Sequence, residues 1–134
     1  MVKLILVTHG NLAEEMLRTA SQILGKSADG VQTLSVTTST SIEQGTAQLL
    51  PLLQNGEEGV IVLTDIFGGS ATNIALTASK DFAKCHVITG LNLSMLLTAL
   101  NNRKKLNDKE LAEKIEADGK RAVINATELL IKGL

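Results

Sequence analysis

Two short, almost uninterruptedly apolar runs, Val2 to Val7 and Gly59 to Thr64, constrain the fold of this chain more than any other feature. A strand with one wet face alternates apolar and polar residues, and a buried helix needs a longer run. Runs like these therefore read as central strands of a parallel sheet covered on both faces. Two weaker β-rich runs, Val31 to Val36 and Cys85 to Thr89, extend the series, with the outer two flanking the first and third. Helix-like stretches lie between them, and strands alternating with helices imply crossover connections. The expectation is an α/β fold: an open, mainly parallel sheet of order 2-1-3-4 with helices on both faces, and one domain spanning residues 1–134.

The first helix is the clearest. Leu12, Met16, Leu17, Ala20, Ile23 and Leu24 recur at helical spacing while Glu14, Glu15, Arg18 and Gln22 take the other side. Asn11 with Glu14 has the pattern of a capping box, and Gly25 supplies a stop. Ser41 with Gln44 repeats that pattern ahead of a second helix, where Pro51 predicts an early end or a kink. Ser70 to Lys80 reads as a third helix and Asn92 to Asn101 as a fourth, with Arg103-Lys104-Lys105 placed to cap its C-terminus. The tail from about Asp108 to Ile131 is loosely helical, and Gly119 is expected to divide it in two.

Composition removes several function classes. The net charge is −1 and the chain has two Phe but no Trp or Tyr, so it offers neither a basic surface nor stacking platforms for nucleic acid. No apolar stretch reaches the roughly 20 residues needed to cross a bilayer, and the opening segment is too short for a signal-peptide core. The single Cys85 excludes an internal disulfide, and one Cys with two His is too few for an ordinary structural zinc site. These features predict a cytoplasmic protein with neither nucleic-acid binding nor membrane insertion. Cys85 reads as a buried, inert thiol, and His86 as structural or exposed, at the opposite end of the sheet from His9.

Chemistry concentrates where the two central strands end. His9 closes the first apolar run ahead of Gly10-Asn11, and Asp65 follows the second ahead of Ile66-Phe67-Gly68-Gly69-Ser70. In an open parallel sheet the loops at the carboxyl ends of the strands form the ligand crevice at the point where the winding reverses, and order 2-1-3-4 puts that point between these two strands. An aspartate that accepts from imidazole Nδ1–H leaves Nε2 bare and nucleophilic and steadies the charge that builds on attack. His9 can then accept a phosphoryl group, with Gly68, Gly69, Ser70 and the following helix start placed to cradle its oxygens. Spacing alone also fits an ordinary loop histidine and an ordinary turn-and-cap composition. Thr8 and Thr89 read as strand-end hydroxyls, with bordering the same crevice as the alternative.

Leu4-Ile5-Leu6-Val7-Thr8-His9-Gly10, Leu63-Thr64-Asp65-Ile66-Phe67-Gly68-Gly69-Ser70-Ala71-Thr72-Asn73 and Val87-Ile88-Thr89-Gly90-Leu91-Asn92-Leu93-Ser94-Met95-Leu96 resemble, in order, the mannose-family (mannose/fructose/sorbose) IIA component of the bacterial sugar phosphotransferase system. The similarity runs through about Gly119. It implies that His9 receives a phosphoryl group from the phosphocarrier HPr and hands it to a IIB component, with membrane IIC and IID subunits downstream. It also implies that Asp65 orients the histidine, that Ser70 lies at the site, that the protein is a homodimer, and that it needs no metal or other cofactor. Ala71 stands where many members have proline. The chain shows no IIB domain after the IIA segment, so IIB is expected as a separate polypeptide, and the stretch from Lys120 leaves open a C-terminus exchanged between subunits.

Three other readings share parts of this pattern. Histidine phosphatases place Arg before the strand-end histidine, where this chain has Thr8. The phosphocarrier subunit that feeds dihydroxyacetone kinase shares the fold and the N-terminal histidine, but its middle motif differs. A flavodoxin-like, non-enzymatic binding module would explain the sheet without using His9.

Overall fold

The computed structural model describes residues 1–133. It contains β1 (Lys3–His9), α1 (Leu12–Leu24), β2 (Gln32–Val36), α2 (Ile42–Leu53), β3 (Val60–Thr64), α3 (Ser70–Ser79), β4 (Cys85–Ile88), α4 (Leu93–Asn102), α5 (Asp108–Arg121) and α6 (Ala126–Ile131). The sheet runs β2-β1-β3-β4 with every neighbouring pair parallel. Fold class and strand order are as expected.

Both faces of the central strands are dry. Leu4, Leu6, Ile61 and Leu63 pack with Ala13, Ala20, Leu96, Leu111 and Ile115 of α1, α4 and α5. Ile5, Val7, Val60 and Val62 point the other way, into Leu49 and Leu53 of α2 and Ile74 and Ala75 of α3. Each such aliphatic side chain contributes about 1.5–3 kcal/mol through burial. That requirement explains why β1 and β3 are apolar at successive rather than alternate positions.

Helix ends show which local signals survive tertiary packing. Gly25 adopts the left-handed conformation and closes α1 as expected. The Asn11–Glu14 box does not form, because Asn11 makes no side-chain cap; buried Thr8 reaches back from β1 and accepts from the Ala13 amide at 2.9 Å. The Ser41–Gln44 box does form, and α2 ends two residues after Pro51. Gly45 stays inside α2 because a Cβ there would come within 2.2 Å of Ile74 Cδ1, so the glycine sets how closely α2 lies on α3.

Gly119 does not divide the tail. It is buried within α5, where a Cβ would meet Met95 Cγ at 2.5 Å, and its carbonyl accepts from Asn92 Nδ2 at 3.2 Å. The break falls after Arg121, ahead of α6. Arg103 does end α4, but its guanidinium is buried and donates to the Asp29 carbonyl at 3.0 Å, tying α4 to the turn before β2. Cys85 is half-buried rather than buried, and burial pushes its thiol up to about 11, against a lowering hydrogen bond from Ser79. Among the described residues no helix is long and apolar enough to cross a membrane.

Candidate functional site

Parallel pairing of β1 with β3 brings the ends of both strands to one edge of the sheet, with Val7 beside Thr64. His9 is the last residue of β1, still within the strand, and Asp65 follows the last residue of β3. Asp65 Oδ2 accepts the His9 main-chain N–H at 2.9 Å and lies 2.9 Å from His9 Nδ1, while Oδ1 accepts the Ile66 amide at 2.9 Å. Burial pushes the Asp65 carboxyl up. Hydrogen bonds from the His9 amide and ring, with the attraction of that ring, outweigh burial and hold the carboxyl below its ordinary value.

An ionised carboxylate only accepts, so the hydrogen between Asp65 Oδ2 and His9 Nδ1 sits on Nδ1, and in the neutral imidazole Nε2 then carries the lone pair. The aspartate side chain is 12% exposed and the histidine 47%, so the anchor lies inside and the histidine side chain faces outward. Two N–H groups of one residue on one carboxylate oxygen orient the ring as well as choosing its tautomer.

Asp65 leads into a turn from Ile66 to Gly69, closed by the Gly69 amide on the Ile66 carbonyl at 3.4 Å. Gly68 takes φ +83° there, a conformation that disfavours any side chain. Gly69 has ordinary dihedrals and is required for another reason: a Cβ would lie 3.1 Å from His9 Cε1 and 2.9 Å from Ile66 Cγ2. The glycine backbone forms one wall of the imidazole.

Helix α3 then starts at Ser70 with no side-chain cap, since Gly69 has none to offer, and the first helical acceptor is the Gly69 carbonyl, taken by Asn73. The amides of Ser70, Ala71 and Thr72 are therefore left without helical partners beside the histidine. Elsewhere Thr8, Ser41, Asn92, Asn107 and Asn125 accept amides from the first turns of α1, α2, α4, α5 and α6. Open amides at the positive end of a helix dipole favour an anion.

The structure thus brings His9, Asp65 and Gly69 into contact, and Gly68 and Ser70 lie on the same turn. Leu12, Ile66 and Phe67 are exposed at this end, Phe67 at 77%, giving the crevice an apolar rim. His86 is far away in β4, bound to Asp108. Thr64 and Thr72, buried under the Asp65 turn, were not singled out by sequence reasoning; hydroxyls at the third position of a helix and at a strand end carry no local signal of meeting. Among the described residues no group of three or more His, Cys, Asp or Glu is placed to hold a metal ion.

Residues 3–116 match the family model described as PTS system fructose IIA component, where PTS stands for phosphotransferase system. The mannose-specific EIIAB component of Escherichia coli (strain K12) is 34% identical over 106 residues, which cover 76% of this chain and 32% of that protein. The chain thus spans about a third of the length of the curated relatives it matches. Among solved structures, the phosphotransferase system component EIIA from Streptococcus agalactiae has a TM-score of 0.87 at 25% identity, covering 96% of this chain and 99% of that one. The mannose/sorbose-specific IIA subunit from Enterococcus faecalis has a TM-score of 0.84 at 32% identity, covering 92% and 93%. With a family match across most of its length and a fold shared with these IIA proteins, the chain belongs to the mannose-type IIA family of the sugar phosphotransferase system.

Proposed function

We propose that this protein is a cytoplasmic phosphocarrier: His9 accepts a phosphoryl group from phospho-HPr and passes it to a IIB component, which serves IIC and IID membrane subunits in sugar uptake. The observation that carries the reading is the doubly anchored His9, with Nδ1 committed to Asp65 and Nε2 free. In acceptance the Nε2 lone pair attacks phosphorus in line, the P–N bond of the donor histidine breaks as the P–Nε2 bond forms, and the donor ring keeps the electron pair. In delivery a nucleophile of IIB attacks the same phosphorus, the P–Nε2 bond breaks, and its electron pair returns to Nε2. Asp65 steadies the positive charge that builds on the His9 ring, and the open α3 amides with the Ser70 hydroxyl receive the phosphoryl oxygens. Gly68 supports this by turning the chain and Gly69 by letting the ring lie against it.

A phosphocarrier must dock two proteins in turn, and the exposed Leu12, Ile66 and Phe67 around His9 suit such contacts. What supports a homodimer is the other exposed apolar group, Val123, Ile124, Leu130 and Ile131 of the tail, with α6 burying none of its residues and β4 lying at a sheet edge. The whole chain, residues 1–134, is read as one IIA domain. The test is phosphoryl transfer from phosphoenolpyruvate with enzyme I and HPr, followed by intact mass. An acid-labile mass gain that vanishes in His9→Ala is expected; no gain under conditions that charge HPr defeats the reading. Sedimentation of the same sample decides between dimer and monomer.

A further inference from the structure

Beneath the Asp65 turn lies a cluster of three hydroxyls that the transfer chemistry does not use. Thr72 Oγ1 is 2.7 Å from Thr64 Oγ1, 2.7 Å from the Ile66 carbonyl oxygen and 3.3 Å from Thr89 Oγ1. A hydroxyl has one proton and two lone pairs, and a carbonyl only accepts. Thr72 therefore donates to Ile66, and Thr64 and Thr89 both donate to Thr72. Every bonding capacity of the Thr72 hydroxyl is used. Thr64 is fully buried, Thr72 is 2% exposed, and Ala71, Ile74 and Leu63 beside them are fully buried, so the bond between these two hydroxyls is shielded from water.

Two of the three residues bound to Thr72 are those that flank Asp65. Thr64 precedes it and Ile66 follows it, so one hydroxyl grips the chain on both sides of the carboxylate. The Thr64 carbonyl is held in turn by the Leu91 amide at 2.9 Å, and Thr89 joins from the end of β4. Beyond Ile66 the turn has little other restraint: Ile66, Phe67 and Gly68 are all exposed.

Resting on the phosphocarrier reading for its consequence in transfer, we infer that Thr72 is a positioning residue of this site. Its hydroxyl holds the Asp65 turn in the place where one carboxylate oxygen meets both N–H groups of His9. Without it, the Ile66 carbonyl is left short of a buried donor and the turn is free to shift. Misplacement of reacting groups by about 1 Å costs on the order of 100-fold in rate, so a partial shift is expected to cost about tenfold.

The experiment compares Thr72→Val, which keeps the shape and removes the hydroxyl, with Thr72→Ser, which keeps the hydroxyl, in the full chain. Two readouts are taken: the rate of phosphoryl acceptance from phospho-HPr, and the nitrogen-15 NMR signals of the unphosphorylated His9 ring. Expected are a wild-type rate and a single Nδ1–H tautomer for Thr72→Ser, and an about tenfold slower rate with mixed tautomers for Thr72→Val. A folded Thr72→Val with wild-type rate and ring signals overturns the inference. Should that variant fail to fold, Thr64→Val unties the residue before Asp65 while keeping the Thr72–Ile66 bond; a partial tautomer mixture supports the inference and unchanged ring signals overturn it. If the wild type accepts no phosphoryl group yet Thr72→Val still disturbs the His9 ring, the phosphocarrier reading fails and the positioning role stands.

Discussion

The molecule holds two histidine–aspartate pairs at opposite ends of one sheet. At the carboxyl end, His9 gives Nδ1 to Asp65 at 2.9 Å; at the amino end, His86 gives Nε2 to Asp108 at 2.7 Å. Each carboxylate is held below its ordinary value. For Asp65 the His9 hydrogen bonds overcome burial, and for Asp108 the His86 bond comes first, with burial opposing. Glycine lies close in both cases, Gly69 against the His9 ring and Gly59 against Asp108. The difference is in what surrounds the free side of the imidazole. Beside His9, α3 begins with uncapped amides; Asp108 opens α5, whose start is closed by the Asn107–Glu110 capping box. A histidine–aspartate pair is common chemistry, and only the pair facing open helix amides and an exposed apolar rim has somewhere to put a phosphoryl group.

The sharpest way to break this comparison is to delete each histidine. His9→Ala is expected to reduce phosphoryl acceptance to background and His86→Ala to leave its rate unchanged, measured by intact mass over time; loss of transfer in His86→Ala would erase the distinction. Next in size, Asp65→Asn is expected to slow transfer on the order of 100-fold, because an amide no longer selects the Nδ1–H tautomer. Single-turnover kinetics with phospho-HPr give the number, and an unchanged rate would reduce Asp65 to a loop tie. Gly69→Ala follows, at about tenfold, since the new methyl presses the His9 ring from its aligned position. Its unfolding midpoint should stay near that of the wild type, which separates ring displacement from a damaged fold.

The amino-end pair should register in stability instead. Asp108→Asn is expected to cost about 1 kcal/mol at neutral pH, read by urea unfolding, with phosphoryl transfer intact. The acid limb sharpens this further. Both aspartates release their protons more readily in the folded chain than in the unfolded one, so their contribution is complete above about pH 4 and is lost as pH falls through the folded values. Asp108→Asn should therefore flatten the fall of stability with pH below about 4; an unchanged slope would mean the His86 bond adds nothing in solution.

Much of this is legible in the sequence. The apolar runs in β1 and β3 dictate burial on both faces, and the Gly25, Ser41, Pro51 and Asn92 signals place helix ends to within a residue or two. His9 and Asp65 could be paired because parallel order 2-1-3-4 forces adjacent strand ends together. The misreadings share a cause. By local pattern Asn11 is a cap and Gly119 a break, and in each case a residue from another element decides: Thr8 takes the amide, and Met95 fills the space beside the glycine.

The sequence by itself determined periodicity, strand burial and the meeting of the two strand ends, because these follow from side-chain alternation and from right-handed parallel crossovers. Only the tertiary structure decided which hydroxyl caps which helix, that α3 stays open beside His9, that Gly69 walls the imidazole, and that Thr72 grips the chain around Asp65. Those outcomes depend on donors, acceptors and free volume meeting across separate elements within a few tenths of an ångström, and no local pattern encodes such a meeting.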